Sequence, residues 1–468
     1  MSTEPQAGHE LPRVLGARHA MSIVVGIIIG SGIFLVPREM IAAVGSSRMV
    51  YLVWIAGGLL SLFGALTYAE IAAGRPAYGG EYAFLREAYG DLVGFLHMWT
   101  WWTIAKPASI ASVVSGLVRT LATFATFAIF NQPAFLHMNW GQVAGLVALW
   151  LVTALDIVGT RKAADVQLGL TVLKVVLIAI IAVSCFAFAG PLGSAAHFAS
   201  VYPGARGGLG GFMVALIAAL WAYDGWSDVA AVAGEIKQPQ RNLPTAFIGG
   251  ILVVAGLYML TNAAIQYVLP AAALAGADRP AADTLRVVLG SHGIAWGASL
   301  VSIGMAISIS ATLVGTTLSG SRIGFAAARD GLFFRSIARV HPKYQTPAVA
   351  LIAQSGIASV LIFAIGRFQA LFSLAIFAEW ITYGLAVSTV FVFRKRDAIT
   401  GRARAFSTPG YPVIPIVFIL ASVALTVFQL VDDPRNTLLG CLVILCGVPL
   451  YFYFKARRTT INPTPAAR

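Results

Sequence analysis

Charged residues are scarce in this sequence. Asp, Glu, Lys and Arg together make up 11% of the 468 residues, whereas a soluble domain carries roughly 25%. Apolar residues account for 58% of the chain, and its mean hydropathy is +0.81. Too few charges are present to cover a water-facing surface, which excludes a soluble globular domain. The composition predicts an integral membrane protein.

Cysteine is scarce too, and the motifs of soluble catalysis are missing. The three cysteines, Cys185, Cys441 and Cys446, all lie inside apolar segments, so none is placed for an external disulfide. No glycine-rich phosphate loop, HExxH or CxxC pair occurs. The order Gly30-Ser31-Gly32 also differs from the GxSxG pattern of serine hydrolases. We therefore expect no enzyme activity, no cofactor and no metal site.

Long apolar segments dominate the sequence instead. Crossing the bilayer core takes about 20 helical residues, and segments of this length recur along the chain, separated by short polar joints. We predict an all-α integral membrane protein with twelve transmembrane helices. The predicted spans cover residues 16–44, 49–73, 91–122, 140–158, 163–190, 208–235, 243–268, 292–328, 347–365, 368–393, 411–430 and 436–455.

Basic residues indicate how the spans are oriented. Lys and Arg are retained in short cytoplasmic loops, and most of the 32 basic residues fall on one side if both chain ends are cytoplasmic. The cluster Arg394-Lys395-Arg396 is one example. This retention accounts for the net charge of +13 without a nucleic acid partner. We predict a multi-pass protein of the plasma (cell inner) membrane, with an N-terminal tail 1–15 and a C-terminal tail 456–468 in the cytoplasm.

Two spans are interrupted by residues that weaken helices. The first break is Gly30-Ser31-Gly32, and the second, Ala222-Tyr223-Asp224-Gly225-Trp226, lies five spans later. Non-helical backbone survives at membrane depth only where it is buried in protein or lines a cavity. Matching breaks in two halves indicate inverted repeats. We predict repeats at 16–190 and 208–393, followed by two further helices at 411–455.

Four motifs occur in order along the chain: GIIIGSGIF at 26–34, RPAYGGEY at 75–82, WAYDGW at 221–226 and AGEIKQPQRNLP at 233–244. Together they resemble the amino acid-polyamine-organocation (APC) transporters, and most of all their L-type amino acid transporter (LAT) branch. The likeness extends from about residue 16 to the twelfth span. It implies a LeuT-type fold of five plus five inverted spans, with helices 1 and 6 broken. It also implies amino acid transport by alternating access.

The first break can bind the two charged ends of an amino acid. Amides at the start of a half-helix carry about half a positive charge and suit a carboxylate. Carbonyls at the end of the preceding half-helix and at the second break suit an ammonium group. A glycine kink used only for close helix packing is the alternative. The predicted substrate-binding residues are Ile28, Ile29, Gly30, Ser31, Gly32, Ile33, Trp221, Ala222 and Asp224.

Lys174 is a lone charge inside the apolar fifth span. An ammonium group at that depth is costly and therefore a functional candidate, with snorkelling to the surface as the alternative. The resemblance implies that it stands where sodium-coupled relatives hold a cation, which would make transport sodium-independent. Its expected partners, Ser308, Thr312 and Thr316, share one face of the eighth span, although such hydroxyls also bond their own helix.

Several other polar or aromatic residues have open roles. The resemblance implies that Trp221 is a gate that closes over the substrate, and simple packing is the alternative. Asp224 can cap a half-helix or make a local hydrogen bond, relay protons, or recognise a cationic side chain. Glu379 in the tenth span is a second candidate for proton coupling, with a structural hydrogen bond as the alternative. Lys106, next to Pro107, contacts substrate or pairs with Glu379.

We therefore expect a sodium-independent secondary transporter, an exchanger of neutral L-amino acids, with small side chains favoured because Trp221 leaves little room. A proton-coupled symporter, or a carrier of large neutral amino acids, cationic amino acids or polyamines, stays open. A channel is disfavoured because no repeated filter or ring of charge is present, and a receptor because no cytoplasmic module is. The expected partners are the lipid bilayer and the substrate. The resemblance implies that a glycoprotein subunit of animal relatives is linked through a cysteine in the external loop after the third span. The corresponding segment, 123–139, has no cysteine, so no disulfide-linked subunit is expected.

Overall fold

The computed structural model describes most of the chain, namely residues 11–294, 296–364, 368–432 and 434–461. Within these ranges the backbone is almost entirely helical, and its β-pairing is limited to isolated bridges such as Leu15 with Ile236. The predicted all-α class is therefore confirmed. Of the two predicted tails, residues 1–10 and 462–468 lie outside the described residues.

The helices of the described ranges are labelled in chain order. The α-helices are α1 Ala17–Ile28, α2 Gly32–Val44, α3 Ser47–Gly74, α4 Glu81–Tyr89, α5 Asp91–Thr100, α6 Lys106–Leu121, α7 Trp140–Val158, α8 Thr160–Phe188, α9 Gly208–Ala222, α10 Asp228–Ala231, α11 Pro239–Val268, α12 Ala271–Gly276, α13 Pro280–Gly290, α14 Gly297–Arg329, α15 Ala348–Ala364, α16 Phe368–Thr400, α17 Val413–Asp432 and α18 Pro434–Ile461. A π-helix, Trp101–Ala105, joins α5 to α6, and short 3-10 helices occupy Ala125–Asn131, Gly190–Leu192, Ala195–Ala199, Ala233–Glu235 and Arg335–Ala338.

Among the described residues, seven helices are long and apolar enough to cross a membrane, and the bent pair of α1 and α2 makes an eighth. The seven are α3, α7, α8, α11, α14, α17 and the part of α18 from Gly440 to Arg458. The third predicted span runs through α5, the π-helix and α6, and the sixth and ninth contain the shorter helices α9 and α15. A multi-span membrane protein is thus confirmed, while the number twelve stays a prediction.

Both predicted breaks are present. α1 ends at Ile28, α2 begins at Gly32, and the two helices are bent by 42°. α9 ends at Ala222, and α-helix resumes only at Asp228. The predicted sixth span, 208–235, is interrupted at 222–226 as expected, and beyond the break it consists of the four-residue α10 and a short 3-10 helix, Ala233–Glu235. Backbone groups in this segment therefore need partners from neighbouring elements.

The two breaks touch each other through glycines. A Cβ added to Gly32 would lie 3.1 Å from Ala222 Cα, and one added to Gly225 would lie 2.5 Å from Ile27 Cγ2. Gly225 also has φ +98°, a left-handed conformation that side chains rarely adopt. Close packing is therefore one use of these glycines, and it brings the second break against the first.

Tyr258 of α11 joins the ends of α1 and α9. Its hydroxyl lies 2.7 Å from the carbonyl oxygen of Ala222 and 3.1 Å from that of Ile28. The Tyr258 ring packs against the rings of Trp54 and Tyr223 in the same buried cluster. A buried hydroxyl needs a partner, and the two broken helix ends supply it.

We expect Gly225→Ala to destabilise the fold. The added methyl group would collide with Ile27 and leave a strained φ, which together cost roughly 1–3 kcal/mol. The melting temperature of the detergent-solubilised protein should fall. Gly169→Ala is the matched control, because Gly169 is exposed on α8 with no neighbour within 4 Å of an added Cβ. An unchanged melting temperature for Gly225→Ala would contradict this packing.

Candidate functional site

A cavity lies where the two breaks meet. It encloses about 100 Å³, several times the space that one water molecule needs. Residues of α1, α2, the π-helix, α6, α9, α14 and α16 line it. The predicted substrate-binding residues in this lining are Ile28, Gly30, Ser31, Gly32, Trp221, Ala222 and Asp224.

The start of α2 presents unpaired amides. The N–H groups of Ser31, Gly32 and Ile33 have no acceptor among the residues that the structure describes. Free amides at the first turn of a 13-residue helix favour an anion such as a carboxylate. The Ile33 side chain is fully buried and lies outside the lining, so this residue offers only its backbone to the site.

The carbonyls next to the breaks are less available than expected. The Ile29 carbonyl accepts hydrogen bonds from side chains of α8 and α14, and Ile29 does not line the cavity. The Ile28 carbonyl accepts from the Gly30 amide at 2.8 Å, and the Trp221 carbonyl accepts from the Asp224 amide at 3.1 Å. These carbonyls therefore already accept hydrogen bonds within the protein, and their binding of a substrate ammonium group stays a prediction. Carboxyl groups lining the cavity are the more accessible acceptors.

Lys174 reaches the first break from α8. Its side chain is 0% exposed, and Nζ donates to the carbonyl oxygens of Gly26 and Ile29 at 2.6 Å each and to that of Ser308 at 3.4 Å. The side chain therefore does not snorkel to a surface. Three carbonyl dipoles take the place of the water that an ammonium group loses on burial. The charge also fixes the C-terminal end of α1, where the helix dipole favours a cation.

The hydroxyl face of α14 meets the same carbonyls rather than the ammonium group. Ser308 Oγ lies 2.6 Å and Thr312 Oγ1 lies 3.4 Å from the Ile29 carbonyl oxygen. Of the three expected partners, Ser308 contacts Lys174, but through its backbone carbonyl, because within the described part of the chain Nζ donates only to carbonyls and not to the hydroxyls. Ser308 and Thr312 share its acceptors, and Thr316 lines the cavity.

Lys106 pairs with Asp228 and not with Glu379. Its Nζ lies 2.6 Å from Asp228 Oδ1, and both buried side chains line the cavity. The Ser319 hydroxyl donates to the same carboxylate oxygen at 2.7 Å. This ion pair links the third predicted span to the second half of the sixth. Sequence reasoning missed Asp228, although an acid two residues beyond the second break was a usable signal.

A π-helix turns Lys106 toward the cavity. Residues five apart on an α-helix point about 140° away from each other. Here the Lys106 amide bonds the Trp101 carbonyl, so that the two residues lie one π-turn apart. Lys106 Nζ is then 5.5 Å from the centre of the Trp101 ring. Pro107 gives a reason for the location, because a proline ring clashes with the carbonyl four residues earlier in a regular α-helix.

Tyr383 of α16 lies between the two candidate proton-coupling acids. Its hydroxyl is 2.8 Å from Asp224 Oδ1 and 3.3 Å from Glu379 Oε1, and it accepts from the Ser227 hydroxyl at 3.3 Å. A phenol has one proton, so it satisfies only one of these carboxyl groups at a time. Of the roles left open for Asp224, the structure shows a hydrogen bond, from Tyr383, and not a cap of α10, whose N-cap residue is Ser227. Nothing in the local sequence around Tyr383 marks it as a site residue.

Trp221 lies at the end of α9, against the first break. Its ring atom Cζ3 would be 3.6 Å from a Cβ on Gly32, and the partly exposed side chain lines the cavity. The indole therefore forms one wall beside the free amides of α2. Its role as a gate stays a prediction.

Two broken helices that cross at a polar cavity are typical of secondary transporters. Residues 15–446 match the family described as "Amino acid permease", and the chain belongs to this family. The predicted membership of the APC superfamily and its LAT branch is thereby confirmed.

Individual relatives match over nearly the full chain. The sequence is 33% identical to "Serine/threonine exchanger SteT" of Bacillus subtilis (strain 168), over 96% of this chain and 98% of that protein. It is 30% identical to "b(0,+)-type amino acid transporter 1" of Homo sapiens, over 97% of this chain and 90% of that protein. It is 27% identical to "Cystine/glutamate transporter" of Homo sapiens, over 95% and 86%. The chain is therefore an amino acid transporter, and the prediction that it is not an enzyme is confirmed.

We expect Asp228→Asn to lower the melting temperature of the purified protein. The change leaves the buried Lys106 ammonium without its partner, and breaking a buried pair typically costs about 3–5 kcal/mol. The double variant Lys106→Met with Asp228→Asn should recover part of the loss, because no unpaired charge remains. Equal melting temperatures for the single variant and the wild type would show that the pair does not hold the third and sixth spans together.

Proposed function

We propose that this chain is a sodium-independent exchanger of neutral L-amino acids that works by alternating access. A zwitterion would bind through its carboxylate to the free amides of Ser31, Gly32 and Ile33. Its ammonium group would face the carboxyl groups of Asp224 and Glu379 in the cavity wall. The observation that carries the proposal is the bonding of Lys174 at the first break.

Lys174 supports independence from sodium. A sodium site at a broken helix uses unwound backbone carbonyls, and here the carbonyls of Gly26, Ile29 and Ser308 already accept from the lysine ammonium group. A second cation at these oxygens would be repelled by a fixed positive charge at short range. The two predicted repeats, 16–190 and 208–393, would then move relative to each other with the Lys174 ammonium group in place of a bound sodium ion.

The cavity wall favours neutral over acidic side chains. Lys106 and Asp228 neutralise each other at 2.6 Å, and the remaining carboxyl groups, Asp224 and Glu379, would repel an anion. Trp221 narrows the space beside the amides, which favours small substrates. The relative from Bacillus subtilis carries the name serine/threonine exchanger, which supports both exchange and a small neutral substrate.

Proton-coupled symport is the second candidate. The observation in its favour is the hydroxyl of Tyr383, which Asp224 and Glu379 share at 2.8 and 3.3 Å. A carboxyl group left without a donor in a buried site is a natural proton acceptor. Because the carboxyl groups of Asp224 and Glu379 would also attract a positive charge, cationic amino acids and polyamines stay as alternative substrates.

The proposed setting is the plasma (cell inner) membrane, with both chain ends in the cytoplasm and no disulfide-linked subunit. Basic residues at the C-terminal ends of α14 and α16, such as Arg329 and Arg394, would then lie on the cytoplasmic side. The three cysteines belong to α8 and α18, and segment 123–139 contains none.

Uptake into proteoliposomes without sodium tests the proposed function. A panel of labelled amino acids and polyamines would be offered to vesicles that are empty or preloaded with unlabelled amino acid, with and without a pH gradient. Stimulation by internal neutral amino acid supports exchange. Uptake that needs an inward proton gradient and is unaffected by internal substrate would favour symport instead. Uptake of polyamines alone would overturn the substrate class.

We expect Lys174→Met to reduce sodium-free exchange by about tenfold or more. The loss of the ammonium group removes its hydrogen bonds to the Gly26, Ile29 and Ser308 carbonyls and so loosens the end of α1. Lys162→Met is the matched control, since Lys162 is exposed on the same helix. Membrane abundance and elution as a single species would be compared for both variants. Wild-type exchange by a folded Lys174→Met protein would contradict the proposal.

We expect Trp221→Phe to raise the KM for exchange by about threefold to tenfold, since the smaller ring covers less of the substrate. The control is Trp150→Phe, because Trp150 is an exposed residue of α7. A changed melting temperature with an unchanged KM would assign Trp221 to packing only.

A further inference from the structure

A second hollow lies apart from the cavity, at the C-terminal end of α18. It is a groove of about 230 Å³, and its walls come from α18 and from the loop that follows α14. The part of α18 from Gly440 to Arg458 is long and apolar enough to cross a membrane. The groove therefore lies where this span leaves the hydrocarbon core, at the depth of the lipid headgroups. The proposed transport does not use it.

Three aromatic rings line one part of the groove. Phe333 and Phe334 belong to the loop after α14, and Phe454 belongs to α18. The ring centres lie 5.0 to 5.4 Å apart, so each ring packs on the other two. Phe333 and Phe454 are buried, whereas Phe334 is 52% exposed. The cluster thus holds the loop against α18 and leaves one large apolar ring exposed beside the groove.

Three arginines line the same groove. Arg335 begins the 3-10 helix after α14, and Arg457 and Arg458 lie near the end of α18. Arg335 and Arg457 are exposed, and neither forms an ion pair with any residue that the structure describes. The Arg457 guanidinium group lies 4.6 Å from the centre of the Tyr453 ring, one turn earlier on the same helix. This ring helps to hold the charge at the membrane interface.

The acids nearest to this end of α18 are already paired with other arginines. Arg458 Nη1 lies 2.9 Å from Asp91 Oδ2. Arg86 Nε lies 2.8 Å from Asp91 Oδ1, and its Nη1 lies 2.7 Å from Asp330 Oδ2. Two arginines thus offset two carboxylates. The charges of the two exposed arginines in the groove stay uncompensated, so the groove is electropositive.

We propose that this groove binds the headgroup of an anionic phospholipid. The guanidinium groups of Arg335 and Arg457 hold the phosphate, to which an arginine can give two parallel hydrogen bonds. The exposed Phe334 ring contacts the hydrocarbon next to the headgroup. Basic pockets between spanning helices are a typical place for such headgroups. The combination of paired positive charge and an exposed apolar ring favours a lipid over a soluble phosphate, which has no apolar part.

The bound lipid would join two parts of the chain that are far apart in sequence. Its headgroup contacts the loop after α14 through Arg335 and the end of α18 through Arg457. On the proposed topology the groove faces the cytoplasmic leaflet. The site goes beyond the proposed exchange and does not depend on which amino acid is carried.

Binding of phosphatidylglycerol to the full chain in detergent tests the site, with native mass spectrometry as the measurement. Phosphatidylcholine with the same acyl chains is the zwitterionic comparison. We expect the wild type to bind phosphatidylglycerol about tenfold more tightly, because each interfacial arginine adds attraction to an anionic lipid. Inorganic phosphate at the same concentration should not displace the bound lipid.

The double variant Arg335→Gln with Arg457→Gln should lose most of this preference, with phosphatidylglycerol binding weakened by about fivefold or more. The matched control is Lys162→Gln with Arg241→Gln. It removes two exposed basic side chains near the starts of α8 and α11 that do not line the groove, and it should bind as the wild type does. Melting temperatures would show that both double variants are folded. If the groove variant aggregates, the single change Arg457→Gln decides, with an expected loss of about twofold or more.

Three results would overturn the site. The first is equal binding of the two lipids by the wild type. The second is an unchanged preference in the folded groove variant, or the same loss in the control, since the attraction would then belong to the basic surface as a whole. The third is displacement of the lipid by inorganic phosphate, which would make the groove a site for a soluble anion. Each measurement is independent of transport, so failure of the proposed exchange would leave the lipid site standing.

Discussion

The architecture depends on a positive charge buried in a membrane protein with backbone carbonyls in place of water. Lys174 is 0% exposed and donates to carbonyls of α1 and α14. Without it, the Gly26 and Ile29 carbonyls at the end of α1 would keep only neutral hydrogen bonds from the Thr312 and Ser308 hydroxyls, which are weaker than bonds from a charged donor. The lysine thus makes a broken helix tolerable at this depth, and the break in turn frees the amides at the start of α2.

Other contacts also join the broken helices to neighbouring elements around the cavity. Tyr258 joins the carbonyl ends of α1 and α9, and Gly225 lets the second break contact Ile27 of the first. Lys106 and Asp228 connect the third and sixth predicted spans. Each of these contacts joins elements from different halves of the chain. When one half moves relative to the other, these contacts must either break and be replaced or move together with both partners. That is the structural requirement for alternating access around a central site.

Sequence reasoning succeeds where a residue violates the expectation for its surroundings. The glycines of the first break and the lone charge of Lys174 stand out against apolar neighbours, and the structure brings both to the end of α1. Reasoning fails where partners depend on which helix faces which. Lys106 meets Asp228 instead of Glu379 because a π-turn reorients it, and a one-dimensional pattern does not reveal such a turn.

The short helix after the second break and the hydrogen bonds of the α14 hydroxyls also depend on contacts with neighbouring elements. Small and apolar residues continue almost to residue 235, but α10 has only four residues, and it packs on the glycine turn before α4. Ser308 and Thr312 do lie beside Lys174, yet both sides donate hydrogen bonds, so they share carbonyl acceptors. Periodicity predicts a common face and leaves donor and acceptor pairing undetermined.

The central claim is that the Lys174 ammonium group replaces a transported cation. The most direct test is the initial rate of amino acid exchange by the wild type as sodium is replaced with choline on both sides of the proteoliposome membrane. The account predicts rates that stay within about twofold over the whole range, a difference of less than 0.5 kcal/mol by rough conversion. A rate that rises with sodium and saturates would contradict it, because a bound sodium ion would then be required beside a charge that excludes it.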